Sequence, residues 1–250
     1  MRATAFCALA ALMILLAGCG NNVRNYWDKV DVTVTESNFA SSEDRFARFA
    51  ELLVMVPEKD AVAGLDALFE KLKADEVSYY VYSEWLVMSF HSLLSPCRNP
   101  VLMEHVANRF ASDGIMSADE CAPILELAAK DKLNLKGDDC ILPPFHGSDH
   151  MPVFWEPGKE TVFLVTNLDC ATCVGALRSL ADESGEHIAL CFGHTPPPSL
   201  PGWNYCYSPV LDDVFDLDSA PFWFKVGADG KVTVPYSTVP ENNSFASPNL

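Results

Sequence analysis

The sequence predicts a two-module chain, an all-α helical bundle followed by an α/β domain. Three observations carry this. Between about 42 and 136, apolar residues recur every three or four positions, punctuated by cap residues and prolines. From Thr161 onward, short β-branched and aromatic runs take over, separated by Gly, Pro and Asp. Between two of those later segments, at Cys170-Ala-Thr-Cys173, a strand pattern hands over directly to a helix pattern.

The helical module reads as follows. Phe46, Phe49, Ala50 and Leu53 form one face after Ser41 and Ser42, and Pro57 ends the segment. Val62, Leu65, Phe69 and Leu72 form a second stripe, and Val77 to Leu94 is a third, aromatic-rich segment stopped by Ser95-Pro96. Asn99 and Pro100 stand in the preferred cap and first-turn positions of a fourth helix, which Gly114 closes. Ser117-Ala-Asp-Glu120 is a capping-box pattern for a fifth, with Pro123 arguing for a later start or a kink.

In the second module, Thr161–Thr166 reads as a buried strand, and Val174–Ala181 as a helix with Leu177, Leu180 and Ala181 on one face. Ile188–Phe192 is the next strand, and the proline-rich stretch 194–202 is a stiff, extended loop. Trp203–Tyr207 and the segment 211–217 lead to Pro221, which opens a strand that turns at Asp229-Gly230 into another ending at Val234. The two cysteines therefore flank a helix N-terminus, where free N–H groups and the helix dipole stabilise a thiolate at the first of them.

This order of strand, CxxC, helix and proline-led hairpin resembles a thioredoxin-like fold. The resemblance implies that Pro221 occupies the place of the family's cis-proline facing the dithiol. It implies that Cys170 is the nucleophile and Cys173 the resolving thiol, so that no cofactor and no metal are called for. Trp203, Ala220 and Phe222, with Tyr205 and Trp223, are expected to line a substrate groove near the dithiol. Asp169 stands where thioredoxins usually carry Trp, an acid that disfavours the thiolate. Thr172 replaces the family's His or Pro, and Thr161–Thr166 holds no counterpart of the buried carboxylate that many members use. The stretch Ser95-Pro-Cys-Arg-Asn-Pro100 with its helical surroundings resembles a domain of unknown function found ahead of thioredoxin-like modules in bacterial lipoproteins.

The N-terminus places the chemistry. Met1-Arg2 precedes an apolar run to Leu16 that is too short to span a bilayer and is shaped like a signal-peptide core. Leu16-Ala-Gly-Cys19 resembles the bacterial lipobox, which implies cleavage before Cys19 and a lipid anchor on it. Gly20, in place of Asp, implies the outer membrane and a periplasm-facing protein in the cell envelope.

Removing residues 1–18 takes away one basic residue, Arg2, and leaves 16 basic against 34 acidic, a net −18. That acidity argues against nucleic acid as a partner. The same removal and lipidation of Cys19 leave seven cysteines: Cys97, Cys121, Cys140, Cys170, Cys173, Cys191 and Cys206. Setting aside the CxxC pair leaves an odd number, so at least one thiol stays free or pairs with another chain. A Cys191–Cys206 bridge is one of several open pairings. His146 and His150 are four apart, a metal-binding spacing on a helix, but Gly147-Ser-Asp149 makes this a loop.

The expected organisation is a lipoprotein signal peptide at 1–18, a tether at 19–41, a helical domain at 42–139, a thioredoxin-like domain at 140–236 and a disordered tail at 237–250. The leading function is a membrane-anchored, extracytoplasmic thiol–disulfide oxidoreductase acting on exported proteins with thiols or disulfides, recycled by an unknown redox partner. A redox-inert thioredoxin-like binding module and a subunit of a membrane-associated assembly are the alternatives.

Overall fold

The computed structural model describes residues 23–240. The expected signal peptide, Cys19 and residues 241–250 of the expected tail fall outside that range. The chain divides into two compact units, Met1–Asp131 and Lys132–Leu250. Among the described residues, no helix is long and apolar enough to cross a membrane.

The first unit contains α1 (Phe39–Met55), α2 (Glu58–Leu72), α3 (Glu76–His91), α4 (Pro100–Asp113) and α5 (Ala118–Asp131). Their apolar stripes meet in one core that includes Phe49, Leu65, Phe69, Tyr82 and Phe110. Each such side chain contributes roughly 1.5–3 kcal/mol by leaving water.

Local chemistry sets the ends. Asn99 Oδ1 accepts from the N–H groups of Val101 and Leu102 at 3.1 and 3.2 Å, capping α4, and Gly114 leaves it at φ +72°. Ser117 and Glu120 close a capping box at α5: the Ser117 N–H donates to Glu120 Oε2 at 2.7 Å and the Glu120 N–H to Ser117 Oγ at 3.3 Å. The helix starts at Ala118 and runs through Pro123 rather than starting after it.

Arg98, from the loop before α4, has a structural task. Its Nη2 lies 2.7 Å from buried Asp131 at the end of α5, whose other oxygen is 2.8 Å from His91 Nδ1. Arg98 Nε also donates to the His91 carbonyl at 3.1 Å. The turn this makes ends α3 at His91, three residues before Leu94, which is left exposed.

The expected tether at 19–41 is corrected over its described part. Val23 and Trp27 are fully buried, and Val32 and Val34 join the same core. Trp27 meets the rings of Phe49 and Tyr82 edge-on at 5.1 and 5.9 Å, and the Val34 N–H donates to Ser78 Oγ at 2.8 Å. Val23, Tyr26, Trp27 and Val30 fall at three- and four-residue spacing and Val30, Val32 and Val34 alternate, but each run is short and set in a polar stretch, and all of them pack on the helical core. Helix α1 also begins at Phe39, three residues before 42.

The second unit is a seven-stranded mixed sheet with one α-helix among its described residues. Its strands are β1 (Phe145–Gly147), β2 (Pro152–Val153), β3 (Thr161–Asn167), β4 (Glu186–Phe192), β5 (Trp203–Tyr207), β6 (Phe222–Val226) and β7 (Val232–Thr238), in the order β2-β1-β5-β4-β3-β6-β7. The helix α6 (Ala171–Ser179) joins β3 to its parallel neighbour β4. Strand β5 is also parallel to β4, and β6 and β7 complete the other side antiparallel.

Strand alternation divides the core. Val162, Leu164, Ala189, Cys191, Trp203 and Trp223 pack with Leu177 of α6 and with Leu180 at its C-cap. On the opposite face Phe163 stacks on Phe224 at 5.0 Å, with Trp155 edge-on to Phe163 at 5.5 Å. Phe215, from the segment between β5 and β6, packs there against Phe222, Phe224 and Tyr236.

Three expectations about this unit are corrected. It begins at Lys132, not 140, because 137–140 pairs with the last hairpin: the Gly137 N–H donates to the Val232 carbonyl at 2.8 Å and the Cys140 N–H to that of Gly230 at 3.0 Å. Strand β7 continues to Thr238, past the expected end at 236, because a register shift within the β6–β7 pair lets an edge strand carry Pro235. A Cys191–Cys206 bridge is excluded by register: Cys206 stands opposite Leu190 and Cys191 opposite Tyr207, so the two thiols point to opposite faces. All seven described cysteines are free thiols.

Candidate active site

The site forms where three chain segments leave the same end of the sheet. Val165 near the end of β3 pairs with Phe222 at the start of β6, which brings Pro221 beside that end. On the other side Asn167 pairs with Phe192, so the chain leaving β4 at Gly193 starts there as well. Leu168-Asp169-Cys170 crosses between them into α6.

Cys170 is the N-cap of α6, with extended backbone and its Sγ 3.4 Å from the Cys173 N–H. A cap position turns the side chain towards the unpaired amides of the first turn, where negative charge is favoured. The Cys173 thiol and N–H hold the Cys170 thiol below the ordinary range, and the Thr172 N–H and hydroxyl add to this. Cys173 is one turn inside and buried. Burial first, then its bond to Cys170, pushes its thiol up to about 11. Beneath it, the hydroxyl of buried Thr166 donates to the Cys173 carbonyl at 3.1 Å.

The Ala220–Pro221 peptide bond is cis, and both residues are half-buried. Trp203, Phe222 and Trp223 do not form groove walls; they are core residues. Trp203 Nε1 donates to the Leu177 carbonyl at 3.1 Å and Trp223 Nε1 to that of Thr238 at 3.1 Å. An aromatic packed into the core gives the same sequence pattern as a groove-lining one. Tyr205 packs partly against the α6 side of the core. Ala220, half-buried, directly precedes Pro221.

Asp169 was expected to oppose the thiolate, yet its carboxylate is engaged elsewhere. It accepts from the His194 N–H at 2.9 Å, the Thr195 N–H at 2.7 Å and the Thr195 hydroxyl at 2.6 Å. These donors, the Thr195 hydroxyl first, hold its carboxyl below the usual carboxylate range. Gly193 makes the approach possible: at φ +98°, a Cβ there would lie 2.7 Å from Asn167 Oδ1 and 2.9 Å from Asp169 Oδ2. Sequence reasoning missed this contact. Its signal was a glycine at the end of one parallel strand and an Asx-rich turn at the end of its neighbour.

The remaining thiols are in different surroundings. Burial pushes Cys140 and Cys191 up to about 12 and Cys206 up to about 11. His146 is in β1 and His150 on the turn from β1 to β2, with ring centroids 5.4 Å apart.

Among solved structures, a thioredoxin-like protein from Bacteroides caccae matches over 90% of this chain and 90% of its own, with 15% identity and a TM-score of 0.69. The C-terminal unit has a thioredoxin-like fold. Because that unit is less than half of the chain, the match also takes in helical residues. The C-terminal domain of an uncharacterized protein from Bacteroides fragilis matches 44% of this chain and 93% of its own, at 14% identity and a TM-score of 0.33. No family model and no curated protein matches the chain. The thioredoxin-like unit thus carries an asymmetric thiol pair at a helix N-terminus, between a cis-proline and an acid-bound loop.

Proposed function

We propose that the chain is a thiol–disulfide oxidoreductase acting through Cys170 and Cys173. The observation that carries this reading is the asymmetry of the pair: one thiol held low and partly exposed, its neighbour buried and raised. An attacking thiol needs thiolate character and access, and a resolving thiol must stay protonated until the first bond has formed.

The Cys170 thiolate attacks one sulfur of a substrate disulfide. A new S–S bond forms, the substrate S–S bond breaks, and the departing sulfur takes up a proton. Cys173 loses its proton and attacks the Cys170 sulfur, releasing the second substrate thiol. Two electrons and two protons pass to the substrate, and the protein is left with a Cys170–Cys173 disulfide. With an oxidised pair and a dithiol substrate the same steps run in reverse. Pro221 presents the backbone of its neighbours to the substrate chain.

The test is trapping. Cys173→Ser accumulates mixed disulfides with client proteins, whereas Cys170→Ser does not. Absence of adducts from both variants would remove the reading.

The clients are exported proteins, because the lipobox at 16–19 supports a lipid anchor on Cys19 at the periplasmic face of the envelope. Cys19→Ala is expected to leave the membrane fraction while remaining folded. Continued membrane association of that variant would contradict the anchor.

A further inference from the structure

The loop that leaves β4 begins beside the nucleophile and is fastened there by one side chain. Asp169 immediately precedes Cys170 and binds the backbone and side chain of Thr195 and the backbone of His194. Hydrogen bonds to a carboxylate are shorter and stronger than neutral ones, and two of these measure 2.7 Å or less. Directly beyond the fastened residues come Pro196, Pro197 and Pro198, with no helix or strand before Trp203. A proline run is extended and stiff, so holding its first residue aims the rest. The loop stands on the β4 side of the dithiol and Pro221 on the β6 side.

We propose that Asp169 and Thr195 are positioning residues that set Pro196–Pro198 as one wall of the substrate site, so that the dithiol prefers disulfides carried in an extended polypeptide over small free disulfides. This rests on the oxidoreductase reading. A wall already stiff before binding adds little ordering cost when a peptide backbone lies along it. A small disulfide meets the thiol without reaching the wall and gains nothing from it. An acid in the position preceding the nucleophile then has a task that outweighs its unfavourable effect on the thiolate.

The test compares the purified full chain with Thr195→Val, which removes one hydroxyl donor and keeps every charge. Two substrates are used, an intramolecularly disulfide-bonded peptide and hydroxyethyl disulfide. The ratio of kcat/KM for the peptide to that for hydroxyethyl disulfide is expected to fall about tenfold, through KM, an amount matching the loss of one charge-assisted hydrogen bond. Thr195→Ser restores the hydroxyl and should restore the ratio, and Asp169→Asn should lower it. An unchanged ratio in Thr195→Val overturns the proposal, whether both activities fall together or neither moves. A wild-type chain inert towards both substrates removes the oxidoreductase reading and this role with it.

Discussion

Cys170 and Cys173 differ because one caps a helix and the other is inside it. The cap thiol faces the Cys173 N–H, while the inner thiol is 3% exposed against the sheet. Around them, single residues hold the geometry. Gly193 is one of these, since its positive φ and the nearby Asn167 and Asp169 oxygens leave no room for a side chain. Gly193→Ala should therefore lower stability by about 1–3 kcal/mol, read from urea unfolding, because an L-residue must take up a disfavoured backbone and displace the Asp169 turn. Unchanged stability in that variant would mean that Asp169 does not draw the loop in as described.

Elements whose signals are local were legible in the sequence. The Asn99 cap, the Ser117–Glu120 box, the strand–CxxC–helix order and the Asp229-Gly230 turn all depend on residues within a few positions of one another. Segments whose structure depends on distant partners were not. Residues 23–34 carry only short runs of period, Val23-Tyr26-Trp27-Val30 and Val30-Val32-Val34, and Trp27 is packed against the distant rings of Phe49 and Tyr82. The polar stretch 137–139 falls in the expected helical domain, yet the backbone of 137–140 bonds to residues about ninety positions later. The candidate site divides in the same way. The dithiol and Pro221 were visible as a motif, whereas the Asp169–Thr195 contact joins the ends of two neighbouring parallel strands. Trp203 and Phe222 are core residues, and composition does not distinguish an aromatic packed in the core from one lining a groove.

In the whole molecule, the sheet of the second unit supplies a fixed floor and one end at which β3, β4 and β6 deliver thiols, loop and proline together. The helical unit has its own core and is fastened through Arg98, His91 and Asp131. The net charge of −17 argues against nucleic acid as a partner. The account depends on the pair being an active dithiol rather than a structural bridge, and the fold alone does not decide between them. The reduction potential of Cys170–Cys173, measured on the purified chain against a glutathione or dithiothreitol buffer, tests this most directly. The account predicts a value between roughly −270 and −120 mV, the span of catalytic pairs, and a value below about −300 mV, where structural disulfides fall, would contradict it.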